Sequence, residues 1–254
     1  MDGDDFDAVE ERTEFDAVIV GGGVAGLTAG TYLARHEFDA VVVDADGSIL
    51  RRNAHLENVP GFPAGVNARL FLDLLATQAD RAGCHRHTAT VERVRTTGDG
   101  FAVETADGAT VRARYVVAAT KNETSYLDGV DGVDLVDRGK TYVDADERGR
   151  TGVDGLYAAG RLAGKPHQTA VAAGHGAEVA VALLEDDDRP FYHDWVAPEG
   201  YFTGRGREVP PGCEELGEEE RRRREQESLA VMRDHFETPH PEDPEQHPSV
   251  ADED

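Results

Sequence analysis

Six residues constrain this chain more than any others. Gly21-Gly-Gly-Val-Ala-Gly26 fits G-x-G-x-x-G and follows the run Phe15-Asp-Ala-Val-Ile-Val20 without a break. That run is apolar and rich in β-branched residues, the composition of a buried parallel strand. Val24 to His36, rich in Ala and Leu, reads as a helix, and Asp39-Ala-Val-Val-Val-Asp44 reads as a second strand. A β-α-β unit of about thirty residues requires a parallel sheet with a crossover helix. Each glycine has its own duty. Gly21 permits the tight turn, Gly23 lets the backbone approach a pyrophosphate, and Gly26 lets the helix pack close to the strand. The helix N-terminus, with Val24 and Ala25 in its first turn, offers unpaired N–H groups and a positive dipole end to the anion. Asp44 is placed to accept hydrogen bonds from ribose hydroxyls, and its charge disfavours a 2′-phosphate. The motif calls for a dinucleotide and leaves FAD and NAD undistinguished.

Beyond this unit, residues 45–66 are loop-like, with a rigid turn at Asn58-Val-Pro-Gly-Phe-Pro63. Asn67 is placed to cap a helix to about Ala82, in which Phe71, Leu74, Leu75, Ala79 and Ala82 recur at helical spacing. Turn signals at Gly98-Asp-Gly100 and Asp107-Gly108 predict a three-stranded antiparallel meander over about 86–97, 101–106 and 109–118. Its last strand, through Tyr115-Val-Val-Ala-Ala119, is apolar enough to enter the main sheet. Residues 121–150 are polar and Gly/Asp-rich and receive no assignment. Gly155-Leu-Tyr-Ala-Ala-Gly160 reads as a buried strand, and Gln168 to Glu185 as a helix of small residues. The expected organisation is an acidic disordered lead over 1–14, one α/β domain over 15–190, and a charged tail over 191–254 with one helix near Glu218–Phe236.

Four segments together resemble the low-molecular-weight thioredoxin reductase family. They are Gly21 to Gly26 with Asp44; Glu57-Asn58-Val-Pro-Gly-Phe62; Val117-Ala-Ala-Thr120 followed by Ser125-Tyr126-Leu127; and Gly155-Leu-Tyr-Ala-Ala-Gly160 followed by Gln168-Thr-Ala-Val-Ala-Ala-Gly174. The resemblance implies a Rossmann-type FAD-binding domain, a parallel sheet with flanking helices plus the meander. It implies that Asn58 and the Pro60-Gly61 turn lie beside the isoalloxazine, with Thr90 and Val91 near the adenine. Ala119 and Thr120 would lie near the cofactor, and Gln168, Thr169 and Ala170 would present a helix N-terminus to the flavin. Gly160 would belong to the closing flavin motif.

Two substitutions depart from that pattern. The family's closing glycine is followed by Asp, whereas here Gly160 is followed by Arg161, a residue able to pair with a phosphate. The family's A-T-G is here Ala119-Thr120-Lys121. A larger departure is a deletion: only residues 121–155 separate Thr120 from Leu156. The family's second nucleotide domain and its redox C-x-x-C would occupy that interval. Cys84 and Cys213 form no C-x-x-C, so the resemblance implies electron transfer without dithiol chemistry.

Composition narrows the partners. The formal net charge is −25, from 51 acidic and 26 basic residues, and Lys121, Lys140 and Lys165 are the only lysines. Acid of this density argues against nucleic acid and points to a salt-rich, halophilic cytosol, where screening removes self-repulsion. No apolar run approaches the length of a membrane span, and Met1 to Glu14 lacks a signal-peptide core, so a cytoplasmic location is expected. His85, His87, His167 and His193 lack metal-ligand spacing.

The leading expectation is an FAD-dependent oxidoreductase. Its electrons would come from NAD(P)H bound without a dedicated domain or from a separate reductase, and would pass to a small substrate or protein redox partner. No side chain stands out as a catalytic acid or base. Two alternatives stay open, a non-catalytic flavin- or nucleotide-binding module and an NAD-dependent Rossmann enzyme. The substrate and oligomeric state are not legible.

Overall fold

The computed structural model describes residues 13–45, 47–247 and 249–250. The expected acidic lead lies almost wholly outside the described residues; Glu14 already opens the first strand. The chain divides into two compact units, residues 1–183 with 244–254, and residues 184–243.

The first unit is built on a seven-stranded sheet. Strand β1 (Glu14–Val20) runs into helix α1 (Val24–Arg35), which returns through β2 (Ala40–Asp44). β2 pairs parallel with β1 through Ala17↔Ala40 to Val20↔Val43. This is the β-α-β unit the glycine motif demands, and its strands bury Val18, Ile19, Val41 and Val42 almost completely. Helix α2 (Ala68–Ala82) begins where Asn67 Oδ1 accepts from the N–H groups of Arg69 and Leu70. It stops at Gly83, whose φ of 92° suits the left-handed C-cap.

The run expected as a single strand over 86–97 is two strands. β3 (His85–Thr88) pairs parallel with β2 as an edge of the main sheet, and β4 (Val91–Thr97) opens the meander. The break has a hydrogen-bond cause: Ala89 N–H donates to Asp44 O and Thr90 O accepts from Ala106 N–H, so the two residues serve different neighbours. β5 (Gly100–Thr105) and β6 (Thr110–Ala118) complete the meander.

β6 is the hinge of the architecture. Along one side it pairs parallel with β1 from Glu14↔Arg112 to Val20↔Ala118. Along the other, its first half pairs antiparallel with β5, and its second half pairs parallel with β9 (Leu156–Ala158) through Val116↔Leu156. The hydrophobicity of residues 115–119 thus marks the stretch that leaves the meander and enters the parallel sheet.

The unassigned interval contains a short helical turn at Ser125–Leu127, which buries Tyr126 and Leu127, and a hairpin of β7 (Leu135–Asp137) and β8 (Thr141–Val143). After β9, helix α3 (Thr169–Asp186) begins. Gly176 brings it hard against α1: a Cβ there would sit 2.2 Å from Ala25 O.

In the second unit, β10 (Trp195–Pro198) and β11 (Cys213–Leu216) form a parallel two-stranded ribbon. Glu215 holds the intervening loop by accepting from the N–H groups of Gly200 and Thr203 at 2.9 Å. Helix α4 (Glu218–Phe236) occupies the predicted span. It carries ion pairs such as Arg221–Glu225 and Arg223–Glu220 on exposed faces. Among the described residues, no helix is long and apolar enough to cross a membrane.

Candidate cofactor site

The carboxyl ends of β1, β2, β6 and β9 open onto one cavity of about 730 Å³, whose walls include Val20, Asp44, Ala119 and Ala159. Crevices at strand carboxyl ends, beside the point where the connections change sides, are the ligand sites of open α/β sheets. The volume falls within the range of about 300–1,000 Å³ in which cofactors are held.

The glycine turn shapes the floor. Gly21 has φ +109°, and a Cβ there would lie 2.8 Å from Ala119 O, so the turn and the end of β6 share space only a glycine leaves. At Gly26 a Cβ would lie 1.9 Å from Gly21 O. Gly23 is different: its Cβ direction meets nothing closer than Ser48 Oγ at 3.8 Å, leaving the backbone open to the cavity. Gly23 is also the N-cap of α1, and no side chain caps the helix. The first bond inside α1 is from Leu27 N–H to Gly23 O, so the preceding N–H groups have no intrahelical acceptor. An uncapped helix end beside an open backbone is a seat for an anion.

The loop after β2 is fixed from behind. Leu56 and Val66 exchange backbone hydrogen bonds of 2.9 Å in both directions. Arg69, 2% exposed, sends its guanidinium from α2 to Arg51 O and Asn53 O at 2.8 Å each. A buried guanidinium spent on carbonyls makes the loop's path rigid. The loop then delivers Asn58, whose Nδ2 donates to Gln168 Oε1 at 2.9 Å. That bond joins the residue ahead of the Pro60-Gly61 turn to the residue ahead of α3, across 110 positions. The first turn of α3 therefore opens on the same cavity as the first turn of α1, through Gln168, Thr169 and Ala172.

Of the residues singled out from the sequence, Gly21, Gly23, Val24, Ala25, Asp44, Asn58, Val91, Ala119, Thr120, Arg161, Gln168 and Thr169 line the cavity, as does Thr90. Gly26, Pro60, Gly160 and Ala170 do not. Gly26 and Gly160 sit behind the wall in packing positions: a Cβ on Gly160 would lie 2.8 Å from Ala25 Cβ. Gly160 N–H donates to Nδ1 of buried His175 at 2.9 Å, which fixes that ring as neutral on this nitrogen. Burial first, then the charge of Lys165, lowers the imidazole below its ordinary range. His175 is thus a packing residue tying α3 to the end of β9.

Wall residues that sequence reasoning passed over include Ser48, His55 and Glu123. They lie in irregular segments, where periodicity carries no signal. Tyr126, quoted for the resemblance alone, also lines the cavity. Its hydroxyl shares a 2.9 Å hydrogen bond with Thr120 Oγ1, and burial holds the phenol well above its ordinary range.

The comparisons agree with this geometry. Residues 19–82 match the sequence model of an NAD(P)-binding Rossmann-like domain, and residues 74–176 match that of the pyridine nucleotide-disulphide oxidoreductases. The bifunctional thioredoxin reductase/thioredoxin of Mycobacterium leprae is 33% identical over 130 residues, 50% of this chain and 28% of that protein. The thioredoxin reductase of Listeria monocytogenes is 30% identical over 137 residues, 53% of this chain and 42% of that protein. The matches thus span less than half the length of these curated relatives. The thioredoxin reductase structure from Gloeobacter violaceus superposes with a TM-score of 0.62 at 20% identity, covering 72% of this chain and 100% of that one, a likeness of fold. Glycine turn, strand-end cavity and sequence matches agree: over residues 19–176 the chain is similar to the thioredoxin reductase-like FAD/NAD(P)-binding proteins.

Proposed function

We propose that this chain is an FAD-dependent oxidoreductase that passes electrons between a bound flavin and a small substrate or protein redox partner, without a dithiol relay. The observation that carries the reading is the convergence of two helix N-termini, those of α1 and α3, on one cavity at the strand ends. The cavity has the room and the uncapped N–H groups that a pyrophosphate needs, so the residues fit the cofactor the family carries. Gly21, Gly23, Val24 and Ala25 would hold the pyrophosphate, Asp44 the ribose, and Thr90 with Val91 the adenine. Asn58, Gln168 and Thr169 would hold the ring system. Bound flavin supplies the redox chemistry itself. The protein's part is to orient it, and the positive end of α3 would stabilise the negative charge that the reduced ring gathers. Electrons would enter from NAD(P)H or from a separate reductase.

The cysteines support the dithiol-free step. Cys84 is 4% exposed, donates from Sγ towards Ala40 O, and has its thiol pushed up to about 12 by burial. A thiol so held is a poor nucleophile. Cys213 is half-buried, and burial raises it as well. A double Cys84→Ala/Cys213→Ser variant, photoreduced without oxygen and mixed with an electron acceptor, should be reoxidised at the wild-type rate. Loss of transfer with an intact flavin spectrum would show that a thiol relays the electrons.

A further inference from the structure

The cavity wall contains a charge arrangement that the family reading does not require. Lys121 follows β6 and Arg161 follows β9, two strands that pair with each other, so both side chains enter the cavity at neighbouring strand ends. His167 lies on the rim between Arg161 and the start of α3. Arg86, Arg95, Arg189 and Arg224 each pair with a carboxylate, and buried Arg69 spends its guanidinium on carbonyls. Among the described residues, the side chains of Lys121 and Arg161 make no hydrogen bond and no ion pair. Two of the acids on the same cavity are engaged elsewhere, Glu57 with His55 and Glu123 with the N–H and hydroxyl of Ser125, and the third, Asp44, stands at the end of β2.

The backbone adds an independent observation. Lys121 has φ +68°, in the left-handed region that an L side chain enters at a cost. Glycine would sit there freely, so the fold tolerates strain at the position where an ammonium enters the cavity. The electrostatic consequence is visible on the groups themselves. Lys121 is lowered from its ordinary range by burial and then by Arg161, Arg52 and Lys140; His167 is lowered by burial and then by Arg161 and Lys121. Cations held together and partly out of water repel one another until an anion neutralises them.

We propose that Lys121, Arg161 and His167 form an anion subsite at the carboxyl ends of β6 and β9, which takes a phosphate group of the ligand. Two cations with an imidazole beside them match a multiply charged phosphate better than a monocarboxylate, and the Arg161 guanidinium supplies the planar fork of donors to phosphate oxygens. The identity of the ligand rests on the flavoprotein reading: the phosphate is either the cofactor's own pyrophosphate or that of a separate phosphorylated substrate.

Calorimetric titration with inorganic pyrophosphate at fixed salt tests the subsite without flavin. The wild-type protein, freed of cofactor, should bind pyrophosphate saturably, and Lys121→Gly and Arg161→Ala should each weaken binding by about tenfold or more. Lys121→Gly suits the left-handed backbone, and an unchanged far-ultraviolet circular dichroism spectrum of each variant separates lost binding from unfolding. Repeating the titration after saturation with FAD separates the sources. Pyrophosphate excluded by FAD assigns the subsite to the cofactor's phosphates, and pyrophosphate still bound assigns it to a separate substrate. Wild-type protein that binds no pyrophosphate, or variants that bind it as tightly as wild type, would overturn the proposal. Protein that binds pyrophosphate through these residues but never binds FAD would leave the subsite standing and remove the flavoprotein reading alone.

Discussion

At the scale of single residues, strain and space decide. Lys121 occupies a left-handed backbone position, and replacing a strained L residue there by glycine is expected to stabilise the fold by about 1 kcal/mol. Lys121→Gly should therefore raise the urea midpoint at fixed salt while it weakens pyrophosphate binding. A lowered midpoint would mean that the lysine side chain stabilises the fold by more than its backbone costs. The glycines show how far single residues were legible. The duties of Gly21, Gly23 and Gly26 follow from the motif, and their surroundings agree: one blocked by Ala119 O, one open, one blocked by Gly21 O. Arg69 was not legible. An arginine among the apolar residues of α2 reads as a solvated position, yet its partners are carbonyls 16 and 18 residues earlier in the chain. No local pattern encodes a side chain that serves a distant loop.

At the scale of elements, boundaries followed local chemistry. Asn67 and Gly83 set the ends of α2 because a cap is a property of one residue and its immediate N–H or C=O neighbours. Strand β3 escaped because its separation from β4 depends on which strands Ala89 and Thr90 bond, a tertiary fact. The ribbon of β10 and β11 escaped for a similar reason: fourteen residues, 199–212, separate two short strands that pair in parallel, and no hairpin signal connects them. The junction of β9 and α3 carries a pH prediction. His175 is neutral where it accepts from Gly160, and its folded-state pKa is lowered from 6.5. The unfolded chain then binds the proton more readily, so stability rises with pH through this window and is lost as pH falls below about 6.5. His175→Asn keeps an acceptor for Gly160 and removes the titration. Urea midpoints at about pH 7.5 and about pH 5.5 should differ less in the variant than in the wild type; equal differences would assign the acid sensitivity to other groups.

At the scale of the whole molecule, charge sets the working conditions. A net charge of −25 on 254 residues repels itself unless salt shortens its reach from about 10 Å at 0.1 M to about 3 Å at 1 M. Refolding yield and thermal midpoint should both climb as potassium chloride rises over that range, and full stability at low salt would remove the halophilic reading. The parallel sheet, its entry by β6 and the cavity at its strand ends were legible because periodicity and glycine spacing report on backbone geometry. The cationic wall was legible only as two departures, Lys121 and Arg161, whose convergence needed the pairing of β6 with β9. FAD in this cavity has a direct test. Protein purified at high salt should absorb in the visible as an oxidised flavin and should release FAD on denaturation. A colourless protein that cannot be reconstituted with FAD at any salt concentration would contradict the account.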